Sequence, residues 1–508
     1  MSRSLVHLLL GAAARAPDRV ALRRRQASWS YRELVHGAEA ASVRLREAGL
    51  APGDRVALLY RNCPEYVAWL YGALAGRLAV VPLNVQERAS VLAHQIAHSG
   101  ARLLAGDPDH PEWQTLQQLL PDTVARLAVP AQDVADSAAR FGAYLASAGD
   151  QPLEAPAVSL DDLAILLYTS GTTGRPKGVM LSHGNLVANN TTIIDYLSLG
   201  PDDVGLTVMP FHFSYGNSVL HTHLGSGASL LLEDNLAFPQ AVMQRLQDER
   251  VTGFSGVPST FAILMSRTRI EDFDLSSMRY LTQAGGAMPR ASIERMRALV
   301  PQARFFVMYG QTEATARLTY LDPDRLDDKL GSIGKALDGI EIEIRDPAGG
   351  RLPPHQTGEL CARGPNVMLG YWRDEEMTRE AVVDGWLHTG DLAHTDDDGF
   401  LYIDGRLVEM IKVGAFRVSP LEVEEVLATL PGIAEMAVAA VPDELLGQAV
   451  KAVLVLRDGA ELDELKVKAH CRERLASYKV PKVVEFAREL PRTASGKIQR
   501  YKLAQGNS

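Results

Sequence analysis

The chain is 508 residues long, with 46% hydrophobic and 22% charged residues and a formal net charge of −10 at pH 7. That length sets an expectation of about three packed units with ample core, so neither disulfides nor metals are needed to hold it together. The acidic balance argues against a surface built to grip nucleic acid or anionic membrane, yet leaves room for a local basic pocket.

Cys63, Cys361 and Cys471 are far apart and form no CxxC, which disfavours a disulfide scaffold or cysteine zinc site and fits a reducing, cytoplasmic setting. The N-terminal apolar run from Ser4 to Gly11 is short, broken by His7 and followed by Pro17-Asp18-Arg19. It predicts the first turns of a soluble helix rather than a signal peptide. No uncharged run reaches the roughly 18 apolar residues of a membrane span.

Residues 64–74 predict an amphipathic helix, and residues 78–83 and 101–105 predict short strands. Residues 163–167 predict a buried strand leading into a polar glycine loop, after which Ser182 caps a helix running to about Leu197. Strands recur at 251–254 and 305–308. This alternation of short apolar runs with helices predicts a largely parallel sheet. The pattern changes after about residue 339. Ile340-Glu341-Ile342-Glu343-Ile344 alternates strictly, 346–350 is a turn, and Gly358–Arg363 follows, which together predict a small antiparallel β unit. From 404 onward the expected order is helix 420–430, strand 434–441, strand 449–456, helix 461–476 and strand 482–487. Asp404-Gly405-Arg406 is the expected hinge. Lysine usage marks the same division: of 11 lysines, residues 1–328 hold only Lys177 and residues 404–508 hold eight.

The segment Tyr168-Thr169-Ser170-Gly171-Thr172-Thr173-Gly174-Arg175-Pro176-Lys177-Gly178 lies between a predicted strand and a predicted helix. Its hydroxyls, close backbone N–H groups and lysine suit a polyphosphate, although the same composition also makes an ordinary surface loop. It is not the P-loop of common nucleoside triphosphatases, because Pro176 precedes the lysine and Gly178 follows it. The segment resembles the signature loop of the adenylate-forming superfamily of acyl- and aryl-CoA synthetases, peptide-synthetase adenylation domains and firefly-type luciferases. Tyr309-Gly310-Gln311-Thr312-Glu313, Gly385-Trp386-Leu387-His388-Thr389-Gly390-Asp391, Asp404-Gly405-Arg406 and Pro491-Arg492-Thr493-Ala494-Ser495-Gly496-Lys497 follow in the family's order. The resemblance spans essentially the whole chain.

The resemblance implies an α/β fold: a large N-terminal adenylate-forming domain, residues 1–403, of two βαβ-type sheet lobes plus a small β unit, and a small, mobile α+β C-terminal lid, residues 404–508. It implies ATP-dependent activation of a carboxylic acid to acyl-AMP, then transfer to the thiol of CoA, with AMP and pyrophosphate released. ATP contacts are expected from Thr169, Ser170, Gly171, Thr172, Thr173, Gly174, Lys177, Gly285, Gly286, Ala287, Tyr309, Gly310, Gln311, Thr312, Asp391, Arg406 and Lys412. Glu313 is the expected Mg²⁺ ligand, Thr312 lies near the α-phosphate, and Asp391 takes the ribose hydroxyls with Arg406 beside it. Lys497 is expected to reach the carboxylate and α-phosphate during adenylation, where a placed cation lowers the cost of bringing two anions together. His212 is expected at the carboxylate end of the acyl pocket. His221 and His223 lie near it in sequence, but no well-spaced carboxylate joins the three, so no zinc is expected.

No Asp, Glu, Lys or Arg lies between Thr207 and Leu232, so the ammonium of an amino acid would have no partner there. A neutral acyl or aryl acid fits better, with Phe211, Phe213, Tyr215, Phe254, Val257 and Phe261 as an apolar wall. Two positions depart from the family: Val408 stands at the hinge position usually held by Asp or Lys, and Ala415 at a glycine beside the pantetheine passage. They keep open a carrier-protein arm as an alternative thiol to CoA. The remaining rivals are a luciferase-like oxygenase and a binding protein without catalysis.

Overall fold

The computed structural model describes residues 4–144, 153–170, 176–234, 236–407, 410–413, 416–443, 446–475, 477–492 and 498–503. Among these residues, no helix is long and apolar enough to cross a membrane. The N-terminal apolar run is the helix Leu5–Arg15, whose cap Ser4 accepts from the His7 amide and which buries Leu5, Val6 and Leu9. The helix Pro64–Ala75 opens with proline in its first turn, where a missing N–H costs nothing. It is not amphipathic as expected, because every residue from Pro64 to Leu74 is buried.

Two large sheets carry the fold. In the nine-stranded sheet, Arg304–Tyr309, Tyr280–Gln283, Gly253–Gly256, Val204–Thr207, Ser229–Leu232 and Val20–Arg24 run parallel in that spatial order, with antiparallel strands at both edges. From Val204–Thr207 the chain steps outward to Ser229–Leu232, then crosses back to Gly253–Gly256 on the other flank. The winding reverses there, and open α/β sheets bind ligands at the carboxyl ends of strands at such a point. In the seven-stranded sheet, Leu163–Ser170 lies between the parallel strand Ala79–Pro82 and the antiparallel strand Pro176–Ser182. The two flanking strands pair as a hairpin out to Ser170 and Pro176, so the chain does not pass directly from Leu163–Ser170 into a helix. Ser182 caps the helix His183–Leu197 in a reciprocal arrangement with Asn185.

The small β unit is the antiparallel set Glu341–Arg345, Gly358–Arg363, Trp386–Thr395, Val382–Val383 and Leu401–Arg406. Asp404-Gly405-Arg406 ends its last strand. Beyond it, Ile411–Val413, Phe416–Val418, Ile433–Asp443, Gly447–Leu456 and Val483–Ala487 form a separate sheet with helices Pro420–Ala428 and Glu464–Arg472. This is the α/β architecture with a small α+β C-terminal part that the sequence suggests.

The nine-stranded sheet has an apolar core on each face. Phe211, Tyr215, Leu230, Leu232 and Phe306 pack on one side. Leu206, Leu231, Phe254, Phe261 and Phe305 pack on the other. The expected aromatic wall is therefore wrong in part: Phe254 and Phe261 meet edge to face, with ring centroids 6.1 Å apart, behind the sheet and away from Phe211 and Tyr215. Ser255, between Gly253 and Gly256, faces the Tyr215 side instead, where Thr282 bonds both Ser255 Oγ and Tyr215 Oη.

Candidate active site

Four connections leave the carboxyl ends of neighbouring parallel strands: 208–213 after Val204–Thr207, Val257 after Gly253–Gly256, 284–289 after Tyr280–Gln283, and 310–311 after Arg304–Tyr309. Gly285 has a left-handed φ of +83°, and a Cβ there would press on Val257 Cγ1 at 3.1 Å. The Gln283 side chain donates to the Gly286 carbonyl, fixing the turn that ends at Ala287.

The loop after Tyr309 is tightly folded. A Cβ on Gly310 would lie 2.2 Å from the Ala316 carbonyl oxygen, so only glycine fits. Thr312–Ala314 is a short 3₁₀ turn, and Thr315 follows at φ +67°, ψ −51°, with the Ala316 amide bonded to the Ala314 carbonyl at 2.7 Å. That is a γ-turn on a β-branched residue, a strained conformation of the kind that gathers at functional sites. Thr315 Oγ1 donates to the Asn366 carbonyl, which holds the turn in place. Thr312 Oγ1 lies 3.2 Å from Ser214 Oγ, joining this loop to the His212 segment.

The hairpin reaches the same place. Thr169 pairs with Lys177 across it. Lys177 Nζ stands 5.3 Å over the Tyr371 ring, and Tyr371 Oη donates to Glu313 Oε1 at 2.8 Å. Residues Gly370–Tyr371 pair with Met180 and Val179, and the Met368 amide donates to the Glu313 carbonyl. Residues 368–371 thus stitch the hairpin of one sheet to the Glu313 loop of the other. Burial and the Glu313 carboxylate both push the Tyr371 phenol far above its ordinary value, so it remains a donor. Sequence reasoning missed Tyr371. The one available signal was its place in the turn-rich segment after Gly364-Pro365, and nothing local connects it to Glu313.

Asp391 is 4% exposed. Its Oδ2 accepts from Tyr309 Oη at 2.6 Å and its Oδ1 from Arg406 Nε at 2.7 Å. Asp391 and Arg406 are register partners on adjacent strands, and Tyr309 ends the last parallel strand of the nine-stranded sheet. Burial first, then Asp391, raises the Tyr309 phenol well above its usual range, so it also stays a donor.

His212 is buried beside Phe213, with ring centroids 4.2 Å apart, and Nε2 has no protein partner among the described residues. Burial pushes its pKa down to about 3, so the ring is neutral near pH 7. His221 accepts from or donates to Tyr71 Oη at 2.8 Å, and burial lowers it also to about 3. His223 donates from Nδ1 to the Val219 carbonyl and takes Tyr280 Oη on Nε2. His223 is thus a satisfied core residue rather than a partner of His212.

The structure brings together Thr169, Lys177, Thr312, Glu313, Tyr309, Asp391 and Arg406. Gly285, Gly286, Ala287 and His212 stand at the adjoining strand ends. Gly171, Thr172, Thr173, Gly174 and Lys497 lie outside the described residues, as do Val408 and Ala415. Ser170 is the last residue of its strand, and Lys412 lies within Ile411–Val413 of the C-terminal sheet.

A buried acid held by a tyrosine and an arginine, a second acid bonded to Tyr371 and a lysine on the neighbouring hairpin thus gather at the ends of parallel strands, where open α/β sheets bind ligands. Residues 10–372 match the AMP-binding enzyme family, and residues 422–497 its C-terminal domain. The chain belongs to the AMP-binding enzyme family and is an AMP-forming acyl-CoA synthetase. It is 38% identical over 488 residues to a feruloyl-CoA synthase of an Amycolatopsis species, covering 96% of this chain and 95% of that one. It is 34% identical over 536 residues to a long-chain-fatty-acid–CoA ligase of Escherichia coli O6:H1, covering 99% and 94%. The o-succinylbenzoate-CoA synthetase of Bacillus subtilis, solved with its acyl-adenylate intermediate, superimposes with a TM-score of 0.86 at 29% identity, covering 98% of each chain.

Proposed function

We propose that this chain activates a neutral aryl or fatty carboxylic acid with MgATP through the residues described above, and that CoA is the thiol that collects the acyl group. Asp391, oriented by Tyr309 and Arg406, takes the ribose hydroxyls. Lys177 and the hairpin around it hold the phosphates. Glu313 offers a partly buried carboxylate beside that hairpin, and one carboxylate plus phosphate oxygens and water is the donor set Mg²⁺ prefers. Glu313 would hold the ion, and a bound Mg²⁺ would supply charge neutralisation on the phosphates. His212, neutral and with a buried, unpartnered Nε2 among the described residues, is assigned to the acid's carboxylate end by its motif. Lys497 supplies the moving cation of the first half-reaction, a role carried by its motif.

The acid oxygen attacks the α-phosphorus and pyrophosphate leaves, giving the acyl-AMP. The thiol sulfur then attacks the acyl carbon, its proton passes to solvent, and AMP leaves. The observation that carries the reading is the junction at Tyr371, which links Lys177 of one lobe to Glu313 of the other. The lack of any charged residue from Thr207 to Leu232 supports an uncharged acyl portion. Names among the relatives, ferulate and long-chain fatty acids, bracket the acid class without choosing within it.

The test is pyrophosphate release with MgATP across acetate, medium and long fatty acids, benzoates, cinnamates and amino acids, with and without CoA. Turnover that needs one neutral acid class and CoA supports the reading. Release with amino acids alone refutes it. A single stoichiometric burst relieved by a pantetheinylated carrier protein, and not by CoA, replaces CoA as the acceptor.

A further inference from the structure

Beneath the Asp391 turn lies a group of side chains that the reaction does not use. Glu359 and Cys361 on Gly358–Arg363 face His388 on Trp386–Thr395, where the pairing of the two strands slips by a bulge between Glu359 and Cys361. Such a bulge re-aims side chains. Glu359 Oε2 accepts from His388 Nδ1 at 2.8 Å, and Glu359 Oε1 accepts from the Gly390 amide at 3.0 Å. Gly390 sits in the left-handed region at φ +72°. The next amide, of Asp391, donates to Thr389 Oγ1, which itself donates to the Leu360 carbonyl. Glu359, Cys361 and His388 also have the donor types of a metal site. Their geometry is that of a brace instead. The carboxylate and imidazole are bonded to one another, and Cys361 Sγ lies 3.6 Å from the same His388 Nδ1.

We propose that Glu359 is a positioning residue for the nucleotide's ribose. Its two carboxylate oxygens clamp His388 and the Gly390 amide, and so fix the turn from which Asp391 meets Tyr309, Arg406 and the ribose hydroxyls. The proposal rests on the reading of Asp391 as the ribose acceptor. Glu359 lies one strand away from Asp391 and acts through His388 and the Gly390 amide, not on the ribose itself. Its removal therefore loosens the aim of one carboxylate without altering any group that touches phosphate or acid.

The experiment compares KM for ATP and for 2′,3′-dideoxyATP in acid-dependent pyrophosphate release, for the full-length protein and two variants. Wild type should favour ATP. If it does not, the ribose reading of Asp391 fails and the proposal falls with it. Glu359→Ala should raise KM for ATP about tenfold, the scale of one charge-assisted hydrogen bond, while leaving KM for dideoxyATP and kcat with saturating nucleotide unchanged. Glu359→Gln keeps an acceptor for the Gly390 amide and should stay close to wild type on both nucleotides. Should Glu359→Ala fail to fold, Glu359→Asp serves in its place: its shortened carboxylate reaches His388 or Gly390 but not both, and the same ATP-only loss is expected. An equal loss on the two nucleotides from either variant, in a wild type that discriminates between them, overturns the proposal and leaves Glu359 a purely structural residue.

Discussion

Replacing Gly310 by alanine perturbs the site through backbone geometry alone. The added Cβ would lie 2.2 Å from the Ala316 carbonyl oxygen. An ordinary carbon–oxygen contact is about 3.3 Å, so the chain must open by about 1 Å. The far side of that contact cannot yield easily. Ala316 follows the strained Thr315 turn, and Thr315 Oγ1 is bonded to the Asn366 carbonyl. The displacement therefore falls on 310–314, which carries Thr312 and Glu313. A 1 Å misplacement of a reacting constellation costs on the order of 10²-fold, and overpacking of this kind costs about 1–3 kcal/mol of stability, which a chain of this size survives. Single-turnover acyl-AMP formation with MgATP and a saturating acid measures the effect, with thermal unfolding recorded alongside. Gly200→Ala is the control, because a Cβ at Gly200 meets nothing within 4 Å and its φ is not left-handed. A folded Gly310→Ala protein whose adenylation stays within threefold of wild type would falsify the argument that this loop's compactness places Glu313.

Lys497→Ala should slow acyl-AMP formation by about 10²–10³ while still converting supplied acyl-AMP and CoA to thioester, and equal loss in both halves would remove Lys497 from the first. Glu313→Gln keeps an oxygen for Tyr371 but loses the charge. It should raise the Mg²⁺ concentration for half-maximal pyrophosphate release at least about tenfold, and an unchanged Mg²⁺ dependence would place the metal elsewhere. His212 and His221 are held down to about 3 by burial, so in acid the unfolded chain binds protons that the folded chain does not. Stability contributed by their neutral forms is therefore complete above about pH 6.5 and is lost as pH falls from there toward 3, at about 2 kcal/mol for each ring by pH 5. Urea unfolding at pH 7 and pH 5 should show a smaller acid loss in His221→Asn than in wild type, and identical losses would mean that His221 is not buried neutral.

Much of this molecule is local and could be read without a structure. Ser182 spells a helix start by itself, and the helix His183–Leu197 begins there. The strict alternation of 340–344 is an antiparallel strand, observed as Glu341–Arg345. In the C-terminal part, the expected helix 461–476 and strand 434–441 are present as Glu464–Arg472 and Ile433–Asp443, with only their ends moved. The motifs at Tyr309, Asp391 and Arg406 pointed to a nucleotide because they follow the order of the family they resemble, whose members use them so.

The rest depended on which distant segments meet. A parallel strand buried on both sides is apolar throughout, so its sequence does not say which residues face which core. Phe254 and Phe261 thus looked like pocket residues until the sheet placed them behind it and turned Ser255 toward Tyr215. The all-round burial of Pro64–Ala75 likewise came from its neighbours, not from its own periodicity. The hydrogen bonds from Tyr371 to Glu313 and from Tyr309 to Asp391 join residues 58 and 82 positions apart. The sequence alone determined the chemical types and the local elements of this enzyme, because turns, caps and periodicity act over a few residues. Only the tertiary structure decided how Asp391 is aimed, which residues bond its turn and which aromatic rings share a face of the sheet, because those are products of strand register and of two sheets closing on each other.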